Sequence, residues 1–360
     1  MWPYWVLFLI PAYWAIARLK PISNFDQKAR VRSWTFLWKS MFVFLVLMIG
    51  LRHEVGGDWI QYLEMLDSYT ENSRDEFLFQ DPAFVLFNRL AVKSGLGIYF
   101  LNLLSALFFC WGLIVFCRAQ QRPWLALTVA VPYLITVVAM GYTRQGVAIG
   151  IAMVAMTALG QGGIFRFVIW IALASTFHKS AIILLPMAVL ANSKRRIFTL
   201  LWVGVASIIL FMLMVQEALS FLMGGYIQDA MQSSGAGIRV AMNAVPAALF
   251  LLFRKRFELS AEQRSFWSWM AWSALLLIVL LAVSPSSTAV DRIALYWIPL
   301  QLFVLSRLPN ALGKRDGKNL LWVLAVVTYS ATVHFIWLFY ADTAFAWLPY
   351  KFYPLDWLMQ

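Results

Sequence analysis

Charge is what this chain has least of. Charged residues fill 13% of its 360 positions, against about 25% in a soluble domain. That shortage excludes an ordinary soluble enzyme, and it leaves no folded basic face for nucleic acid. Histidine is scarcer still: His53, His178 and His334 are scattered and form no spaced pair, so no metal site is expected. Cys110 and Cys117 share one apolar run and read as packing residues rather than a disulfide. The chain also lacks a P-loop, a dinucleotide fingerprint and the Asp-x-Asp of metal-dependent sugar-nucleotide transferases. No cofactor is expected.

What remains is hydrocarbon. With 62% hydrophobic residues, the expected fold class is an all-α, polytopic integral membrane protein. It forms one membrane domain over 1–360, with about 10–12 transmembrane helices. The first apolar segment, 2–17, has no basic n-region and no small-residue cleavage site, so it is expected to be a retained span. The net charge of +12 sits in short loops. Lys20 with Lys28, Arg30 and Arg32, then Arg118 with Arg122, then Lys194, Arg195 and Arg196 are the first three groups. Arg254, Lys255, Arg256 and Arg264, followed by Arg307, Lys314, Arg315 and Lys318, complete them. By the positive-inside rule these loops face the cytoplasm, and orientation with headgroup contact accounts for them.

Alternating the spans from that assignment puts 52–96 and 216–239 on the opposite, external face. The first of these loops carries an amphipathic helix over 82–93, with Asn88, Arg89 and Lys93 on its polar side. Residues 284–292 are expected to form a short external turn. The segment 165–190 needs a different solution, because a single crossing would carry Lys194-Arg195-Arg196 outside. A hairpin of two short helices, 165–175 and 181–190, with Phe177-His178-Lys179-Ser180 at its tip, keeps both ends cytoplasmic.

This topology gathers Arg52, Asp58, Arg144, His178, Arg239, Asp291 and Arg292 at one face. Ionisable groups near bilayer depth cost about 2.5 kcal/mol or more, so they usually face a cavity, a partner or a substrate. Four arginines at an external face run against the orientation rule, and the planar guanidinium fork suits pyrophosphate or carboxylate. Each residue has a blander alternative. Asp58 has that of a solvated turn acid, Asp291 that of an ion pair with a neighbouring helix, and His178 that of a cap on its hairpin. Arg144 is the strongest candidate, being a charge at an apolar helix start with no adjacent acid. Trp59, Tyr62, Tyr142, Tyr296 and Trp297 offer rings for sugar stacking, but an interfacial aromatic belt is the favoured reading. His334 is expected to be a core histidine bonded to a neighbouring helix.

Arg52-His53-Glu54-Val55-Gly56-Gly57-Asp58 with Tyr62, Asp81-Pro82-Ala83-Phe84, Thr143-Arg144-Gln145, Phe177-His178-Lys179-Ser180 and Asp291-Arg292 with Tyr296 occur in this order. Together they resemble the successive motifs of the EpsG family, Wzy-like polymerases of bacterial exopolysaccharide, capsule and O-antigen. The resemblance implies a GT-C-like fold by analogy and a metal-independent, inverting glycosyl transfer at the periplasmic face of the bacterial inner membrane. Donor and acceptor would both be oligosaccharides linked to undecaprenyl pyrophosphate, with a chain-length regulator as a further partner beside membrane lipid. It also implies catalytic roles for Asp58, His178, Arg144 and Arg292, and substrate binding by Arg52, Tyr62, Gln145, Arg239, Asp291 and Tyr296. Arg52, Arg144 and Arg292 would stabilise the departing pyrophosphate, helped by Arg239 from a mobile loop, while either Asp58 or His178 would act as the base. The alternatives are a ligase that moves finished glycan to another acceptor, and a transporter or flippase. A flippase would carry arginines at mid-membrane and on both faces.

Overall fold

The structure is a computed structural model, and it describes residues 1–22, 33–70, 81–159, 163–187, 235–284 and 287–358. The expected span over 198–215, most of the loop over 216–239 and the Lys194-Arg195-Arg196 cluster lie outside the described residues. All regular structure among the described residues is helical, and the protein is an all-α polytopic membrane protein. Five helices are long and apolar enough to cross a membrane, and five shorter apolar ones accompany them.

The helices are α1 (Trp2–Ala17), α2 (Phe36–Gly50), α3 (Trp59–Thr70), α4 (Pro82–Ser94), α5 (Gly97–Arg118), α6 (Pro123–Ala130), α7 (Thr143–Leu159) and α8 (Ile164–Phe177). Then follow α9 (Ala236–Phe253), α10 (Ala261–Val283), α11 (Ser287–Ala294), α12 (Ile298–Leu312), α13 (Leu320–Tyr340) and the short α14 (Tyr353–Leu358). A π-helical stretch, Val131–Ala139, prolongs α6. Such wide turns recur at functional sites.

Hydrophobicity all round a helix means burial or lipid contact, and the two fates separate cleanly here. From Pro123 to Ala139 nearly every side chain is buried, and α7 is buried on almost all sides. By contrast α1, α10 and α13 leave apolar faces exposed. Small residues let the interior helices approach closely. A Cβ on Gly112 of α5 would stand 1.9 Å from the carbonyl oxygen of Gly150 in α7, and one on Gly150 would stand 2.7 Å from the Phe109 Cα. His334 sits where expected, buried between Trp5 and Phe8, with Nε2 3.2 Å from the Tyr4 carbonyl oxygen of α1.

The bundle has two distinct ends. At 22 residues and a rise of about 1.5 Å each, α5 spans about 33 Å, the thickness of a bilayer's hydrocarbon. Tyr99 at its start contacts His53, and Arg118 at its other end bonds the Ser33 carbonyl oxygen. Arg122 and Arg307 gather at that second end through Asn310 and Gln120.

Two expectations change. The turn over 284–292 is helical from Ser287, because α11 runs through the Leu295–Trp297 turn into α12 and so forms one long crossing. Asn88 is buried on α4, its amide donating to the Phe84 carbonyl oxygen at 2.8 Å, instead of lying on a polar face. Phe87, one residue earlier, packs on Phe108 and Phe177 and draws that face inward. The expected hairpin tip coincides with a break in the helix: α8 ends at Phe177, His178 adopts extended backbone, and a 3-10 turn follows over Lys179–Leu184. The far part of the second arm, 188–190, lies outside the described residues.

The Gly112 contact generates a paired test. Gly112→Ala drives a Cβ into backbone and should destabilise the purified protein by at least about 1–3 kcal/mol. Gly237→Ala meets nothing within 4 Å and should be neutral or stabilising by about 0.5–1 kcal/mol, as alanine replaces glycine in a helix. Thermal unfolding in detergent distinguishes them, and equal melting temperatures would refute the close α5–α7 approach.

Candidate functional site

The segment between α2 and α3 is built around an arginine that faces inward. Arg52 is 1% exposed. Its Nε donates to the Val55 carbonyl oxygen at 3.0 Å and one terminal nitrogen to that of Ile49 at 2.6 Å. The other terminal nitrogen donates to Asn102 Oδ1 at 3.0 Å and Thr143 Oγ1 at 2.9 Å. Four of the five guanidinium donors are thus spent inside the protein.

The Gly-Gly pair that follows has a steric cause. Gly56 has φ +114°, and a Cβ there would lie 2.2 Å from the Met140 carbonyl oxygen. Only glycine permits both. The chain's last segment closes over this loop from outside. The Gly56 N–H donates to the Ala346 carbonyl oxygen at 2.8 Å, the His53 N–H to that of Lys351 at 3.0 Å, and the Tyr353 N–H to that of Leu51 at 2.9 Å. Lys351 pairs with Glu54. Trp347 lies beneath Gly57 and Gly141, and its indole N–H donates to the Thr136 carbonyl oxygen within the π-helical stretch at 2.8 Å.

A carboxylate absent from the expected site residues holds the next group. Asp81, at the start of α4, is buried. Its Oδ2 lies 3.4 Å from a terminal nitrogen of Arg144 and 3.5 Å from His178 Nδ1, and its Oδ1 accepts the Lys179 N–H at 3.1 Å. Arg144 sits in the first turn of α7 and His178 at the break after α8, so one acid joins the two polar interruptions of the apolar sequence. Tyr62 of α3 completes the group, its hydroxyl accepting the Arg144 N–H at 3.2 Å. In the sequence Asp81 belongs to one of the stretches that carry the family resemblance, with Pro82, a helix-start residue, beside it, but it lies among many acids in a polar stretch and no site role is expected of it.

A third group comes from α7, α9 and α11. Gln145 donates to the Arg292 carbonyl oxygen at 2.6 Å, and Arg239 Nε meets Asp291 Oδ1 at 2.5 Å. Arg239 therefore belongs to the first turn of α9, held by Asp291, rather than to a mobile loop. Asp291 takes its ion-pair alternative. Tyr296 is buried, and Ser180 donates to its hydroxyl at 3.1 Å. The expected aromatic belt is not formed by the rings named for it. Trp59, Tyr62, Tyr296 and Trp297 are buried, with Trp297 donating to the Met270 carbonyl oxygen at 3.0 Å. Only Tyr142 of that set is half-buried.

Asp58 lies where the groups meet. Burial pushes its carboxyl above the ordinary range, opposed by the positive charges of Arg292 first, then Arg144, Arg52 and His178. Those four residues, far apart in sequence, thus act on a single half-buried carboxylate. Arg292 is exposed and its guanidinium has no ion pair among the described residues. The arrangement offers a carboxylate able to take a proton, an exposed guanidinium and an Arg–His pair held by Asp81. The substrate-binding role expected of Arg52 has to be exerted through its field and its tethers, since its donors are occupied.

Neither the curated proteins nor the solved structures contain a match to this chain. The family model of the EpsG family matches residues 35–352, a span that takes in every candidate site residue and the closing tail as far as Phe352. The chain belongs to the EpsG family, and with it to membrane proteins of polysaccharide-polymerase-like function.

Proposed function

We propose that this protein joins oligosaccharide units carried on undecaprenyl pyrophosphate, at the periplasmic face of the bacterial inner membrane. The observation that carries the reading is the convergence of Arg292, Arg144, Arg52 and His178 on Asp58, at the end of the bundle opposite the basic loops. The positive-inside rule turns that opposite end into the periplasmic one.

The chemistry follows from the charges. The acceptor hydroxyl gives its proton to Asp58 as its oxygen attacks the anomeric carbon. The bond from that carbon to the pyrophosphate oxygen breaks, and the pyrophosphate departs with the electron pair. Negative charge therefore grows where Arg292 and Arg144 stand, and donors already in place stabilise it more in the transition state than in the ground state. Burial improves Asp58 as a base, since a carboxyl with a raised pKa binds the incoming proton more tightly. Asp81 fixes His178 through Nδ1, which leaves Nε2 as the ring's group for substrate. Because Asp81 is committed to Arg144, His178 and the Lys179 N–H, direct displacement with inversion is favoured over a route needing two free carboxylates.

Two predictions test this reading. In a deletion strain, Arg292→Ala or Arg144→Ala should reduce a multi-repeat glycan ladder to single repeats, consistent with a loss of about 10²–10³ in rate for one charge-stabilising donor. A normal ladder at normal protein level would rule the assignment out, polymer stalled on the carrier would indicate a ligase, and cytoplasmic accumulation a flippase. The second test is the pH profile of kcat/KM with purified protein and lipid-linked repeats. Activity should rise with pH as Asp58 loses its proton, with an acid limb above the ordinary carboxylate value of about 3.9. Arg292→Ala removes the largest opposing positive charge and should move that limb further up; a limb unmoved in this variant, or retained in Asp58→Asn, would exclude Asp58 as the base.

A further inference from the structure

At the far end of the bundle the loop cations do more than orient the chain. Orientation requires positive charge near the membrane surface, not its burial, yet Arg118 and Arg122 are only 3% and 4% exposed. They line a cavity of about 120 Å³ with Arg18, Lys20, Ser33 and Thr35. Trp38 and Trp124, stacked with centroids 4.1 Å apart, form its wall. No carboxylate is found among these lining residues.

The cavity is held open by its own bonds. Arg122 donates to Asn310 Oδ1 at 3.0 and 2.7 Å, to the Gly317 carbonyl oxygen at 2.9 Å and to that of Leu19. Each of these described partners is neutral, so the guanidinium keeps its charge uncompensated among the described residues. Two helices also begin here. The starts of α2, at Thr35, and α6, at Arg122, carry no side-chain cap, and their first N–H groups and dipoles add to a positive field. The rim residues Arg18 and Lys20 are exposed and have no ion pair among the described residues.

A second feature says what kind of anion fits. Trp2, Val6, Leu9, Tyr13 and Ile16 are all exposed, and their alternating spacing of four and three residues makes one apolar stripe along α1. The stripe lies on the face of α1 opposite its buried residues, so α1 stands at the outer boundary of the bundle, with the cavity at its C-terminal end. A cationic cavity at the end of a lipid-facing helix lies at the depth of the phosphates of the surrounding leaflet.

We propose that this cavity binds the phosphate of an anionic glycerophospholipid of the surrounding leaflet. The site is independent of the transfer chemistry, which sits at the other end of α5. Basic pockets between helices on the cytoplasmic side are suited to such headgroups.

The test uses the full-length protein extracted from vesicles of equal parts phosphatidylglycerol and phosphatidylcholine, with retained lipid counted by native mass spectrometry. Phosphatidylglycerol should be retained preferentially. The rim variant Arg18→Ala/Lys20→Ala leaves the buried arginines in place, and its preference should fall by about fivefold per cation removed. Lys255→Ala/Arg256→Ala, which removes two exposed cations outside the cavity, should keep it. Equal retention of the two lipids, an equal fall in both variants, or displacement of phosphatidylglycerol by millimolar inorganic phosphate would overturn the proposal, the last by identifying a site for the free anion.

Discussion

The site depends first on the solvation of one buried charge. A guanidinium removed from water is tolerated only if protein groups replace its hydration. Arg52 draws those groups from the end of α2, the following loop, α5 and α7. Each bond also fixes something else. The one to Thr143 sets the residue before Arg144, the one to Val55 shapes the approach to Gly56, and the one to Asn102 locks both to the central helix. Asp58 and Arg144 thereby inherit their positions from an arginine that has few donors left for a ligand. Losing one partner would leave a buried charge half-solvated, so the network is strongly coupled.

Around that anchor the protein divides its charge by depth. Polar contacts collect at the two ends of α5, and the length between them is given to close helix packing at Gly112 and Gly150. The two ends handle cations differently. At the Asp58 end Arg144 and Arg239 each have an acid, Asp81 and Asp291, so the positive field is metered and Arg292 carries the exposed surplus. At the other end the described partners of Arg122 are amides and carbonyl oxygens, which fix geometry without cancelling charge. A field that is partly neutralised suits chemistry in which charge must grow and leave again.

Much of this was legible in the sequence, for identifiable reasons. Arg144 and His178 stand out because an ionisable group in an apolar run needs a cause, and both come to Asp81. The helices follow from long apolar stretches, with α1 found at its expected limits. What could not be read is direction. Arg52 and Arg292 are the same residue in equally polar surroundings, yet one turns inward to four acceptors and the other outward. Tyr62 and Tyr296 looked like interfacial rings because tyrosine suits both an interface and a core whenever its hydroxyl finds a partner, and here Arg144 and Ser180 supply the partners. The role of Asp81 was hidden for the opposite reason: its stretch carried part of the family resemblance, but an acid in a polar loop needs no explanation until a histidine and an arginine are seen beside it.

The tail over α5's starting end shows why the loop around Asp58 can be both glycine-rich and well placed. Two adjacent glycines would normally leave a loop with many conformations to lose on folding. Here Gly56 is confined by the Met140 carbonyl oxygen on one side and its bond to Ala346 on the other, and Trp347 occupies the space beneath Gly57 and Gly141. The glycines make room for a close approach, and the tail removes the freedom they would otherwise add. Asp58 follows directly, so its carboxylate is positioned by backbone contacts rather than by a direct ion pair. A carboxylate that is fixed in place yet opposed only through space by cations keeps the capacity to accept a proton, and it lacks the direct ion pair that engages Asp291.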